Sequence, residues 1–485
     1  MRVLEGLAPE RVFYYFEEIC GIPHGSGNVE QISNYLMDFA KQRGLYAVQD
    51  ALKNVIMVKP ATSGYEEEPA VILQGHMDMV AVKKPDCPID MAVEGLRLKV
   101  DGDKIYAEGT SLGGDDGIAV AYALALLEAD NLSHPKLEVV ITVDEEVGMD
   151  GARGIDLSSL TGRRMLNLDS EEEGIFLTSC AGGARMECRL PVSVCEKEGL
   201  VCRISVEGLM GGHSGAEIHK ERGNANCLMG RILNSLASKL TLSIKSMEGG
   251  LADNAIPRQT VCEVVLEKEK EDTFKALLLE IEDKIKKELA SKDKDFQITA
   301  VFTGEERTIC ADVESTKQAA AFLAALPNGV QAMSADVEGL VETSLNLGMV
   351  SYSVGSKELR CTFSLRSCIE SAKQALVEKV EAVTMLAGGS CDISGDYPGW
   401  AYRVHSPLRD KMAALYEEMY GEKPRLEAIH AGLECGILAA KLEDLDCISF
   451  GPNMENIHTT EETLSVSSVA RVWDYLVRLL AQKNI

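Results

Sequence analysis

The chain has 485 residues, too many for one compact core, so two domains are expected, or three. Its 49 Lys+Arg stand against 76 Asp+Glu, and the resulting net charge of −27 repels nucleic acid and acidic membrane surfaces. A composition of 46% hydrophobic and 26% charged residues, with no run of eighteen apolar residues, is that of an ordinary soluble globular protein and argues against a membrane span.

The N-terminal MRVLEGLAPERVFYYFEEIC reads as a helix with acidic residues on it rather than a signal peptide, which makes the cytoplasm the expected compartment. AVILQG (70–75), LEVVITV (137–143) and MLNLD (165–169) read as buried strands, and IAVAYALALLEA (118–129) as a packed helix. Together they predict an α/β fold with a mostly parallel sheet. From about 180–200 the texture turns α+β: a strand at 201–208, a helix over 224–240, a strand at 259–267, a helix over 271–290 and a strand at 296–302. A second strand, helix and strand group over 345–388 suggests a duplicated unit, without a residue-level repeat. SGDYPGW (394–400) is a plausible crossing back. Helices over 406–420 and 466–482, with a strand at 446–450 between them, would complete the first domain. The expected division is therefore 1–186 with 397–485 as a catalytic domain, and 187–396 as an inserted lid or dimerisation domain. Fourteen cysteines scattered without a C-x-x-C pair read as small buried residues in a reducing compartment.

Metal-type residues are spread over most of this length. His76 and Asp78 follow the first strand, where a metal-binding imidazole needs an acid to fix its tautomer. Asp115 and Asp116 open the apolar helix; one suffices as an N-cap, leaving the other for a metal. Glu145 and Glu146 end a strand, where neighbouring side chains diverge, so that one can bind a metal while the other faces a reacting water. Asp169 starts what also reads as a solvated charge run, and His458 also reads as a helix-entry histidine before the acidic pair Glu461 and Glu462. Each motif alone has such a bland reading. With Asp78 and Glu145 as helpers, His76, Asp115, Glu146, Asp169 and His458 form a nitrogen and oxygen set suited to two zinc-like ions sharing a carboxylate.

The order HMD, GGDDG, DEEVG, LNLDSEE and IHTTEE resembles that of the co-catalytic zinc metallopeptidases that include peptidase T and aminoacylase. GHMDMV, GTSLGGDDGI, DEEVGMDGARG, GGHSGAEIH, RGNAN and HAGLECG are most similar to the aminoacyl-histidine dipeptidase branch of that family, over nearly the whole chain. The resemblance implies hydrolysis of Xaa-His dipeptides such as carnosine. It implies that Asp115 bridges two divalent ions, Zn²⁺ with Co²⁺ or Mn²⁺ as alternatives, with His76 and Asp169 on one and Glu146 and His458 on the other. Glu145 would be the general base for a metal-bridged hydroxide, Asp78 would orient His76, and His213 would reach the partner's site in a homodimer. Asn254, Arg366 and Glu434 match substrate-binding positions. Broader di- or tripeptidases and N-acyl amino acid deacylases share this machinery, so the metal motifs do not separate them. A metal-dependent binding protein without catalysis predicts a lost base or ligand, whereas all are present.

Overall fold

The computed structural model describes residues 2–485 and divides them into two compact units. One runs from the start of the described chain to Cys180 and includes Trp400–Ala428 and Leu433–Ile485; the other comprises Ala181–Gly399 and Ile429–Gly432.

The first unit is built on an eight-stranded sheet in the order Tyr46–Gln49, Val55–Lys59, Leu137–Thr142, Val71–His76, Arg164–Asn167, Asp446–Ser449, Ile175–Cys180, Arg425–Ile429. Leu137–Thr142, Val71–His76, Arg164–Asn167 and Asp446–Ser449 run parallel. Tyr46–Gln49, Val55–Lys59 and Ile175–Cys180 join antiparallel. Parallel strands are covered on both faces, which is why Val71–His76 and Leu137–Thr142 are buried at every position. The helix Gly114–Glu128 is apolar all round, so it has no solvent face and is buried from Gly114 to Leu127. Its Tyr122 donates to the carbonyl of Val469 at 3.0 Å and stacks on Trp473, fastening the C-terminal helix Val466–Leu480 onto it.

The second unit carries a nine-stranded sheet, antiparallel in every recorded pairing. One face packs on a core that includes Met186, Cys188, Met229, Leu233, Phe274, Leu323 and Phe363. Two strand-and-helix groups share this sheet, meeting where Leu242–Gly249 pairs with Val341–Ser353. The unit begins before residue 187 because Gly182–Pro191 is itself a strand, paired with Glu358–Ser367 on one side and Ser390–Tyr397 on the other. Ile429–Gly432 belongs here because the Ala181 amide bonds the carbonyls of Ile429 and Ala431.

All fourteen cysteines are free and ten are buried. No helix among the described residues is long and apolar enough to cross a membrane.

Candidate metal centre and active site

The parallel strands of the first unit end in ionisable residues that converge. His76 closes its strand, and its Nδ1 lies 2.9 Å from the backbone carbonyl of Asp78. A carbonyl only accepts, so Nδ1 carries the hydrogen and Nε2 is left facing Asp115 Oδ1 at 3.1 Å and Asp169 Oδ1 at 3.4 Å. The Asp78 carboxylate, expected to orient this ring, lies farther from Nδ1, at 3.5 Å. His458 Nε2 lies 3.1 Å from Asp115 Oδ2 and 2.9 Å from Glu146 Oε1. Asp115 therefore offers one oxygen to each histidine. Three sets of donor atoms converge: His76, Asp116 and Asp169; His76, Glu145 and Glu146; and Asp115, Glu146 and His458.

Local structure explains the approach. A Cβ on Gly75 would lie 2.4 Å from Asp116 Oδ2, so only glycine lets Asp116 reach the His76 amide, which donates to it at 3.2 Å. Asp115 and Asp116 are non-helical and neither caps the helix that follows. Instead Glu462 accepts the amides of Leu112, Gly113 and Gly114 and so shapes the loop presenting Asp115. The sequence placed Glu462 in a first helical turn; it is buried, and the helix begins at Val466. The segment that supplies His458 thus also fixes the loop His458 must meet.

The electrostatics of the cluster follow from its crowding. Burial pushes Asp169 up to about 6 and Glu145 up to about 9, reinforced by neighbouring carboxylates against the opposing pull of His76. Burial opposes a charge on His76, but Asp169, Asp115 and Asp78 more than offset it and raise its pKa. Bonds to Asp115 and Glu146 bring His458 to about 10. Crowded carboxylates and imidazoles aimed at them call for cations, and these donors fit divalent ions.

A polar layer that the sequence concealed lies beneath the ligands. Gln74 and Asn167 each stand two residues before a candidate ligand, and Asn167 Nδ2 donates to Gln74 Oε1 at 2.6 Å. Gln74 Nε2 and Thr142 Oγ1 bond Glu434 Oε2 at 2.6 and 2.5 Å. Glu434 has no exposed surface, and burial pushes it up to about 8. These contacts give Glu434, expected at a substrate-binding position, an internal role: through Oε2 it ties together the strands ending in His76 and Thr142, and through Gln74 the strand ending in Asn167.

The remaining predicted residues belong to the second unit. His213 is exposed, and its Nδ1 accepts the amides of Gly215 and Ala216, which puts the ring hydrogen on Nε2 as a free donor. Burial and the charge of Arg366 hold its pKa below the ordinary value. Exposed Asn254 accepts the Ser214 amide through its carbonyl. Arg366 is buried with Nε unbonded and Nη1 3.5 Å from the Tyr397 hydroxyl. His430, which the sequence reading did not single out although it heads HAGLECG, bonds the Ser344 hydroxyl at 2.7 Å, and burial followed by Arg366 pushes it down to about 3.

A family model described as peptidase family M20/M25/M40 matches residues 72–482. The chain is 35% identical to the cytosol non-specific dipeptidase of Escherichia coli (strain K12), covering 99% of each chain. It is similar to the crystal structure of aminoacylhistidine dipeptidase from Vibrio alginolyticus, with TM-score 0.94, 35% identity and 99% of each chain covered. Aminopeptidase PepT from Bacillus cereus, at TM-score 0.56 and 17% identity over 98% of each chain, shares the fold.

Proposed function

The chain belongs to peptidase family M20/M25/M40, and from that premise we propose that it is a metal-dependent dipeptidase with a preference for Xaa-His substrates such as carnosine. The observation that carries this reading is the convergence of His76, Asp115, Glu146, Asp169 and His458, with Asp115 between the two histidines. These five would hold two divalent ions, zinc first by donor type, with cobalt or manganese accepted by the same set. Bound there, such ions lower the pKa of water from 15.7 to about 7 and polarise the scissile carbonyl.

The protein's own groups do the rest. Glu145 takes the proton of the attacking water and passes it to the leaving amine nitrogen. His213 Nε2–H donates to the oxyanion of the tetrahedral carbon, and the Arg366 guanidinium, whose Nε has no hydrogen-bond partner, takes the substrate's carboxylate. Asn254, exposed beside the His213 loop, is assigned to the substrate backbone. The sequence resemblance supports a homodimer in which His213 serves the partner's centre. The cytosolic description of the Escherichia coli relative supports a cytoplasmic enzyme.

A broader peptidase is the second reading, favoured by the word non-specific in that relative's name. Purified protein assayed on a dipeptide panel including β-alanyl-histidine, with tripeptides and N-acyl amino acids beside it, decides between them. Activity must vanish on confirmed metal removal and return with Zn²⁺; activity that survives removal overturns the proposal.

A further inference from the structure

The Asp78 carboxylate has more partners than orienting a histidine requires. Its side chain is wholly buried, and the His76 ring is already held by the Asp78 carbonyl at 2.9 Å, closer than the carboxylate at 3.5 Å. What the carboxylate accepts is backbone: the Glu145 amide on Oδ1 at 3.1 Å and the Glu146 amide on Oδ2 at 3.4 Å. Its other partner comes from the N-terminal segment, where the Ser26 hydroxyl donates to Oδ2 at 2.8 Å.

That segment is itself anchored. Met79 donates to the His24 carbonyl, the Ser26 amide donates to the Met79 carbonyl, and Gly25 bridges to Met79. The adjacent Gly27 amide donates to Asp144 Oδ1 at 2.6 Å, while Asp144 holds a left-handed φ of 54° immediately before Glu145. The turn bearing Glu145 and Glu146 is therefore tied to residues 26 and 27, directly through Gly27 and by way of Asp78 for Ser26, and both precede the span matched by the family model.

We propose that Ser26 and the Asp78 carboxylate form a clamp on the backbone of Glu145 and Glu146, making Ser26 a positioning residue for both glutamates. The clamp rests on the roles assigned to those glutamates above. Adjacent side chains diverge from a shared peptide, so rotation of that peptide displaces both at once. A carboxylate holding both amides blocks the rotation, and the Ser26 hydroxyl keeps the carboxylate from turning away.

The test compares zinc-loaded wild type, Ser26→Ala, Ser26→Thr and Glu145→Gln. Ser26→Ala should speed deuterium exchange of the peptide covering residues 143–149. It should also weaken zinc retention against a chelator about tenfold and lower kcat about tenfold at unchanged KM. Ser26→Thr restores the hydroxyl and should recover all three. Wild-type exchange and zinc retention in Ser26→Ala overturn the clamp, even if Glu145→Gln is inactive and the base assignment stands. Faster exchange and weaker retention in Ser26→Ala beside an active Glu145→Gln support the clamp and remove Glu145 as the base.

Discussion

Asp115 Oδ2 meets His458 Nε2 at 3.1 Å across 343 positions of sequence, while Oδ1 of the same carboxylate lies 3.1 Å from His76 Nε2. One side chain thus faces both halves of the candidate centre. Asp115→Ala should therefore empty both metal positions, whereas His458→Ala should empty one. Metal content per subunit by mass spectrometry separates them, and kcat should fall by at least about 100-fold in each, beyond the usual cost of losing an outer-shell partner. Equal metal content in the two variants would remove Asp115 from its shared position.

Glu145→Gln preserves shape and abolishes proton transfer. It should bind metal like wild type and lose about 10²- to 10⁴-fold in kcat. Wild-type-like turnover would take Glu145 out of the base role.

His213→Ala should keep its metal and lose about 10²- to 10³-fold in kcat, the cost of one oxyanion donor. If His213 serves the partner's centre, mixing inactive His213→Ala and Glu145→Gln subunits restores activity above either parent. No recovery after verified subunit exchange places His213 in its own chain's reaction.

Glu434→Gln can keep a carbonyl oxygen where Oε2 accepts both Gln74 and Thr142, so its unfolding free energy should change by less than about 1 kcal/mol. Glu434→Ala removes the buried acceptor that both share and leaves a cavity, and should cost about 2–4 kcal/mol by urea denaturation. A stable Glu434→Ala protein would show the polar layer to be dispensable.

His430 is depressed to about 3 in the folded chain, against an ordinary 6.5. The unfolded chain then binds its proton first as pH falls, so stability from this group is complete above 6.5 and lost progressively down to about 3. Between pH 6.5 and 4.5 the loss amounts to about 2–3 kcal/mol at roughly 1.36 kcal/mol per unit. His430→Gln should flatten this part of the urea-derived profile; an unchanged slope would mean that His430 is not kept neutral.

Most of the candidate donors were legible because they stand where an apolar run stops: His76 after VILQG, Glu145 and Glu146 just past LEVVITV, Asp169 after MLNL; Asp115 and His458 follow no such run. Burial of a parallel sheet dictates such runs, and the ends of its strands are where charge can be placed. Gln74, Asn167 and Thr142 were hidden by the same rule, since a polar residue inside a buried strand has no sequence signature until its partner is known. Glu434 is that partner for Gln74 and Thr142, 360 and 292 residues away, and Asn167 joins through Gln74.

By itself the sequence determined the α/β class and named residues that the structure brings together, because these follow from hydrophobic periodicity and residue chemistry; the division of Glu145 from Glu146 is the proposal tested above. It did not determine that Glu462 folds the Asp115 loop, that Asp116 holds the His76 amide, or that Ser26 reaches Asp78. Those are hydrogen bonds between segments remote in the chain, and only the tertiary packing selects which buried donor meets which acceptor.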